Sequence, residues 1–159
     1  MKKINIGITD ENRQTIADQL AKILADEFVL YSKTLNAHWN IEGPDFHAAH
    51  LYLETLYNQQ QKIVDTVAEK IRAVGHYVPG QLNKYLELTH LSESSPEKND
   101  SQTYYADLLN DHESIIVFLR ENIKPFADKL KAEGISDYIT GLMEHHEKTA
   151  WMLRSHLKK

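Results

Sequence analysis

The chain contains no cysteine, which excludes disulfides and thiolate metal sites and leaves the redox compartment open. No apolar run approaches the roughly 18 residues a membrane-spanning helix needs, and no basic-then-apolar leader follows Met1. Neither membrane insertion nor Sec export is expected, and the cytoplasm is the default. An excess of basic charge is also missing: 18 Lys and Arg face 23 Asp and Glu, a formal net charge of -5, which argues against a broad nucleic-acid surface. The basic ends are short, with Lys2 and Lys3 at one and Arg154, Lys158 and Lys159 at the other. No GxGxxG, P-loop, HExxH or Ser-His-Asp ordering is present.

What remains suits a single helical domain over residues 1–159, with 1–8 as a short tail. At 42% hydrophobic and 26% charged residues, a chain of this length can bury a core of its own. Thr9 or Asp10 is placed to cap a first helix running to about His38, with Ile16, Leu20, Ile23, Leu24, Phe28, Tyr31 and Leu35 at three- and four-residue steps. Gly43-Pro44 closes a short connection, so the first two helices are expected to be antiparallel neighbours. The second helix is expected from about Asp45 to Val74. Its core face gathers Phe46, Leu53, Leu56, Ile63, Val64, Val67, Ile71 and Val74 within an arc of about 100°.

From Gly75 to Asp100 the punctuation of Pro79-Gly80 and Ser94-Ser95-Pro96 excludes one continuous helix. LNKYLELTHL within it can form a short helix on a crossover along the bundle's flank, which lets the flanking long helices run parallel. Leu82, Tyr85, Leu86 and Leu88 suggest packing there. A further pattern starts near Ser101 and carries Leu108, His112, Ile115 and Leu119, with a kink or break expected at Pro125 and a stop at Gly134. Ser136 or Asp137 is then placed to cap the last helix, with Ile139, Leu142, Met143, His146, Ala150 and Leu153 as its stripe. The fold class is therefore all-α, a four-helix bundle with a long crossover.

The second helix has another face. With His50 set at zero on a wheel of about 100° per residue, Glu54, Asp65 and Glu69 fall at roughly 40°, 60° and 100°. Imidazole nitrogen with carboxylate oxygens is the mixed donor set that holds iron, manganese or zinc. Each pair is spaced i to i+4 and can reach one ion, but Glu54 and Asp65 lie about 16 Å apart along the axis. A two-fold axis crossing between Gln59 and Gln60 would set His50 opposite Glu69 and Glu54 opposite Asp65 in an antiparallel second copy. His38, in His-Trp-Asn, is a fifth candidate ligand. Acids and histidines on an outer helix face also serve simple solvation. Asp111-His112-Glu113 and His145-His146 are not expected to ligate, because consecutive residues diverge on a helix and no Glu-x-x-His pairing repeats on two helices.

His38-Trp39-Asn40, Gly43-Pro44-x-Phe46, His50, then Asp65 with Glu69, and the Ala150 to Arg154 ending A-W-M-L-R together resemble the Dps family, ferritin-like mini-ferritins named as DNA-binding proteins from starved cells. The resemblance implies a ferritin-like subunit assembled as a hollow dodecamer. It further implies oxidation of ferrous iron at dimer-interface sites, preferably by hydrogen peroxide rather than oxygen, with ferric mineral stored inside and protection against oxidative damage. Iron would be held by His38, His50, Asp65 and Glu69, with Glu54 standing where the family typically has Asp. Trp39, next to His38 in sequence, is expected to pack in the core or to lie beside the ligands, and His47, at roughly 60° on the wheel but in the first turn, to be solvated or to lie beside them. The resemblance places the stretch from Phe126 to Tyr138 at three-fold pores, where Asp128, Glu133 and Asp137 could draw cations inward. The alternative function is a nucleoid protein that shields DNA with little ferroxidase activity. So few basic residues predict weak or absent DNA binding.

Overall fold

The computed structural model describes residues 4–94 and 96–157; Lys2, Lys3, Lys158 and Lys159 lie outside them. Thr9 is the cap of the first helix, α1 (Asp10–Asn40), its hydroxyl accepting from the Asn12 amide. That bond satisfies one of the donors a helix start leaves open. The Gly43-Pro44 connection leads into α2 (Phe46–Ala73). Asp45 precedes it without capping it; its carboxylate instead accepts from the Ser101 hydroxyl at 2.6 Å, tying α2 to the start of α4 (Ser101–Lys124).

The connection between them carries a short helix, α3 (Leu82–Leu88). Tyr85 is buried and stacks on Phe28 of α1 at 4.4 Å, whereas Leu82 and Leu86 are exposed. Just beyond, buried Asp26 of α1 accepts from the Thr89 hydroxyl and the His90 amide, both at 2.7 Å. The crossover is thus held to the flank of α1 by Tyr85 and by a carboxylate that periodicity did not reveal, whereas Leu82 and Leu86, expected to pack, do not do so within the chain.

Ring contact between Tyr52 and Tyr105, with the Asp45–Ser101 bond, puts the starts of α2 and α4 at the same end of the bundle, so these helices run parallel. The last helix, α5 (Glu133–His156), returns antiparallel to α4. Among the described residues the four long helices enclose one core of Ile, Leu, Val and Ala side chains, including Ile16, Leu20, Leu53, Ile71, Leu108, Leu119, Ile139 and Leu153.

Three expectations at helix ends are corrected. Phe46 is 44% exposed rather than in the core, because it sits on the first turn, beyond the end of the packed stripe. The break expected at Pro125 is present: α4 stops at Lys124, and Pro125, lacking an amide hydrogen, opens a π-helical turn, Pro125–Lys129, closed by the Leu130 amide on the Pro125 carbonyl. The chain reverses at Lys131, whose φ of 59° is left-handed, so Gly134 is not the stop and lies inside α5. The helix starts at Glu133, ahead of Ser136 and Asp137. Ser136 does not cap it; its hydroxyl donates to the Ile123 carbonyl at 2.8 Å and clamps α5 to the end of α4.

Candidate metal centre

α1 and α2 meet at a pair of histidines. The His38 ring is buried near the end of α1, and the His50 ring packs on it with centroids 3.8 Å apart and planes 22° apart. His38 Nδ1 lies 3.0 Å from the His50 carbonyl oxygen, and His50 Nδ1 lies 2.9 Å from that of His38. A carbonyl only accepts, so each Nδ1 carries its hydrogen and each neutral ring keeps its lone pair on Nε2. This is the state a metal requires, with the second ring nitrogen anchored to main chain. Tyr57 meets the His38 ring edge-on and Phe46 covers the far side of His50.

Glu54 stands one turn beyond His50 and is half-buried, while Asp65 and Glu69 are exposed further along α2. Among the described residues none of these three carboxylates takes part in an ion pair. The single chain therefore brings His38 and His50 together, with Glu54 beside them, and leaves Asp65 and Glu69 at a distance along the same face. No three His, Cys, Asp or Glu side chains converge on one point among the described residues. Leu51, on this face, is 46% exposed.

Trp39 was expected to pack or to lie beside the ligands. It is 69% exposed and lines a cavity of about 220 Å³ with Lys33, Tyr104 and Asp107. Its neighbour His38, about 100° round the helix, is buried. His47 is exposed. Asp128, Glu133 and Asp137 are all exposed around the turn into α5.

Sequence reasoning missed two buried polar clusters. Lys33 bridges Asp107 at 3.1 Å and Asp111 at 2.5 Å; burial still pushes the Asp111 carboxyl up to about 6, against the opposing pull of Lys33. At mid-bundle, Glu27, His146 and His112 form a chain of hydrogen bonds. His112 and His146 were visible within the core stripes of their helices, whereas Glu27, four residues after Ile23 and three after Leu24, was not singled out. Arg154, one of the few basic residues near the C-terminus, is committed to Glu113 at 2.5 Å.

Among the described residues the chain is an all-helical bundle with a crossover on its flank, the ferritin-like architecture, and residues 17–159 match the family model of the ferritin-like domain. An uncharacterized low temperature-induced protein of Nostoc is 38% identical over 158 residues, 99% of this chain and 88% of that protein. DNA protection during starvation protein 2 of Bacillus anthracis is 32% identical over 148 residues, 93% and 99% of the respective chains. The crystal structure of the Dps protein from Vibrio cholerae O1, described as a member of a broad superfamily of ferritin-like diiron-carboxylate proteins, superposes with a TM-score of 0.91 at 26% identity, covering 99% of this chain and 98% of that one. The chain belongs to the Dps family of ferritin-like proteins. Among the described residues no helix is long and apolar enough to cross a membrane.

Proposed function

We propose that this protein oxidises ferrous iron at sites shared between two copies of the chain and stores the ferric product inside a closed assembly. The observation that carries this reading is the reciprocal anchoring of the stacked His38 and His50 rings through Nδ1, which leaves Nε2 of each as the nitrogen able to ligate. Two such imidazoles are too few to hold iron alone. Glu69 and Asp65 of a second, antiparallel copy are the acids that a two-fold axis at the Gln59–Gln60 level brings opposite His50 and Glu54. Exposed Leu51, among these polar residues, supplies apolar surface for that contact.

The chemistry follows from the donors. Ferrous iron accepts imidazole nitrogen, and hard carboxylate oxygens stabilise the ferric product more than the ferrous reactant, which favours loss of the electron. Few protein ligands leave positions open for the oxidant. Hydrogen peroxide accepts two electrons, one from each of two ferrous ions, and takes up two protons to leave as two waters. The assembly in this reading is a dodecamer in the cytoplasm. DNA is bound weakly or not at all.

Anaerobic ferrous titration followed by peroxide addition tests the proposal. The expected result is saturable ferrous uptake and a peroxide consumption of about one per two irons, from the electron balance just given. No uptake, or peroxide loss independent of iron, overturns it.

Asp128, Glu133 and Asp137 are proposed to line the route by which iron arrives. Exposed acids around a narrow opening concentrate cations. Asp128→Asn with Asp137→Asn is expected to slow iron uptake several-fold at low ferrous concentration and low ionic strength, with the effect shrinking as salt rises. Native mass spectrometry is expected to show the assembly unchanged, and unchanged uptake rates remove these residues from the route.

A further inference from the structure

Four rings stand in series at the histidine pair. Phe46 covers one side of His50, His50 stacks on His38, and Tyr57 meets the His38 ring edge-on, with successive centroids 5.1, 3.8 and 5.0 Å apart. Tyr57 lies seven residues after His50 in α2, two helical turns along and only about 20° round, so both belong to one face. Side chains on a helix lean toward its N-terminus, which carries the Tyr57 ring back past Glu54 to the histidines. The phenyl ring and the two imidazoles resist loss of a single electron. The phenol does not.

The other oxidisable rings nearby are placed differently. Trp39, next to His38 in sequence, is 69% exposed and lines a cavity with Lys33 and Tyr104. Tyr52 lies about 160° round α2 from His50, in ring contact with Tyr105 and His156. Burial pushes the Tyr52 phenol up to about 12, and its hydroxyl oxygen is buried without a partner. A phenol gives up an electron readily only when its proton can leave with it, and Tyr52 has no acceptor for that proton. Tyr57 is half-buried, with Glu54 three residues earlier and beside it on the helix, so its proton can pass to a carboxylate or to water.

Peroxide takes two electrons, and a site holding two ferrous ions supplies both. A site holding one ion supplies one, and the O–O bond then breaks to hydroxide and a hydroxyl radical beside the protein's own side chains. We propose that Tyr57 supplies the missing electron when an interface site holds a single ferrous ion. This rests on the interface iron reading above. The ferrous ion gives one electron and becomes ferric. Tyr57 gives one electron and its phenolic proton and becomes a neutral phenoxyl radical. One further proton comes from solvent, and both peroxide oxygens leave as water.

The electron has a short path. His38 offers Nε2 to iron in that reading and touches the Tyr57 ring at 5.0 Å, so one imidazole lies between donor and acceptor. The reciprocal Nδ1 bonds of the histidine pair hold that imidazole in place. A ferrous ion that arrives later returns an electron to the phenoxyl, which takes a proton from solvent and is a phenol again. The overall balance then stays at one peroxide for every two irons, and no hydroxyl radical is set free while the site fills.

The test uses the assembled full chain, loaded anaerobically with fewer ferrous ions than interface sites, mixed with hydrogen peroxide and frozen for electron paramagnetic resonance. The unmodified protein is expected to give an organic radical whose line shape narrows when ring-deuterated tyrosine is incorporated. Tyr57→Phe keeps a ring against His38 and removes the oxidisable phenol. It is expected to lose that signal and to release several-fold more hydroxyl radical to a spin trap. Tyr52→Phe and Trp39→Phe are expected to keep the signal. A nitroso trap added to the unmodified protein, followed by peptide mass spectrometry, needs no variant, and its adduct is expected on Tyr57. The same radical yield in Tyr57→Phe, an adduct on Trp39 or Tyr52 in place of Tyr57, or iron oxidation with no protein radical overturns the proposal. Failure of the unmodified protein to take up and oxidise ferrous iron at all is a different result, which removes the interface reading and this proposal with it.

Discussion

Replacing His50 with alanine is expected to lower iron-dependent peroxide consumption at least about 100-fold, with native mass spectrometry showing an intact assembly. The size follows from what the ring does. Residues that merely orient a metal ligand are worth about 10–100-fold in affinity or activity, and in the proposed site His50 is both a ligand and an orienter. In that proposal it presents Nε2 to the iron, and its Nδ1–H holds the His38 carbonyl at 2.9 Å while its own carbonyl holds His38 Nδ1. The alanine variant keeps that carbonyl, so His38 stays anchored and the loss reports the His50 ring. Glu69→Gln, on the other half of the proposed pair, is expected to give a similar defect. Mixing the His50→Ala and Glu69→Gln chains during assembly separates a shared site from a local one. Across a His50→Ala/Glu69→Gln dimer, one site loses both ligands and the other keeps both, so mixed assemblies should regain activity up to about half per dimer on the two-fold argument. No recovery in demonstrably mixed assemblies would mean that the two residues do not act across an interface.

Much of this was legible in the sequence because it depends on period. The stripe from Ile16 to Leu35 gave α1, the α2 stripe gave the core contacts of Leu53, Leu56, Val67 and Ile71, and the angular separation of His50, Glu54, Asp65 and Glu69 from that stripe gave the candidate ligand face. Local chemistry that depends on a distant partner was not legible. Ser136 was expected to cap α5, yet its hydroxyl is engaged by Ile123, thirteen residues earlier. Gly134 was expected to stop a helix, yet Lys131 takes the left-handed turn. Trp39 was expected to pack because it is large and apolar, but neighbouring His38 occupies the interior and turns the indole outward. The interior cluster was the hardest to see. Glu27 falls in the core stripe of α1 as an ordinary helix-forming acid, and only the fold reveals that His146, 119 residues later, meets it.

That cluster carries the other large expected effect. His146→Leu is expected to destabilise the subunit by about 3–5 kcal/mol, because it strands the fully buried Glu27 carboxyl and leaves His112 Nδ1 without its partner at the same time. Denaturant unfolding at pH 7, fixed protein concentration and with chelator present is the measurement, since bound metal or altered assembly would shift the apparent value. Glu27→Leu combined with His146→Leu is expected to recover much of the loss, as apolar replacement of a whole buried polar pair often does. If the single variant costs no more than a surface substitution, the network is not a buried constraint. The pH dependence gives an independent check. Burial, then the neighbouring His146 and His145, hold His112 well below the ordinary histidine value, while His145 is lowered mainly by burial; Glu27 and Tyr138 are the other titratable groups facing this level. As pH falls below about 6.5, unfolded chains take up protons that the native rings refuse, so stability is lost at up to about 1.4 kcal/mol per pH unit for each such histidine. Asp111, pushed up to about 6, works the other way: its native carboxyl takes a proton before the unfolded one does, so it adds stability as pH falls from about 6 toward 4. The net expectation is a decline that starts below neutrality and flattens under pH 6. His112→Leu should make the first part of that decline shallower, and a profile with the same slope in both proteins would show that His112 is not the group that resists protonation.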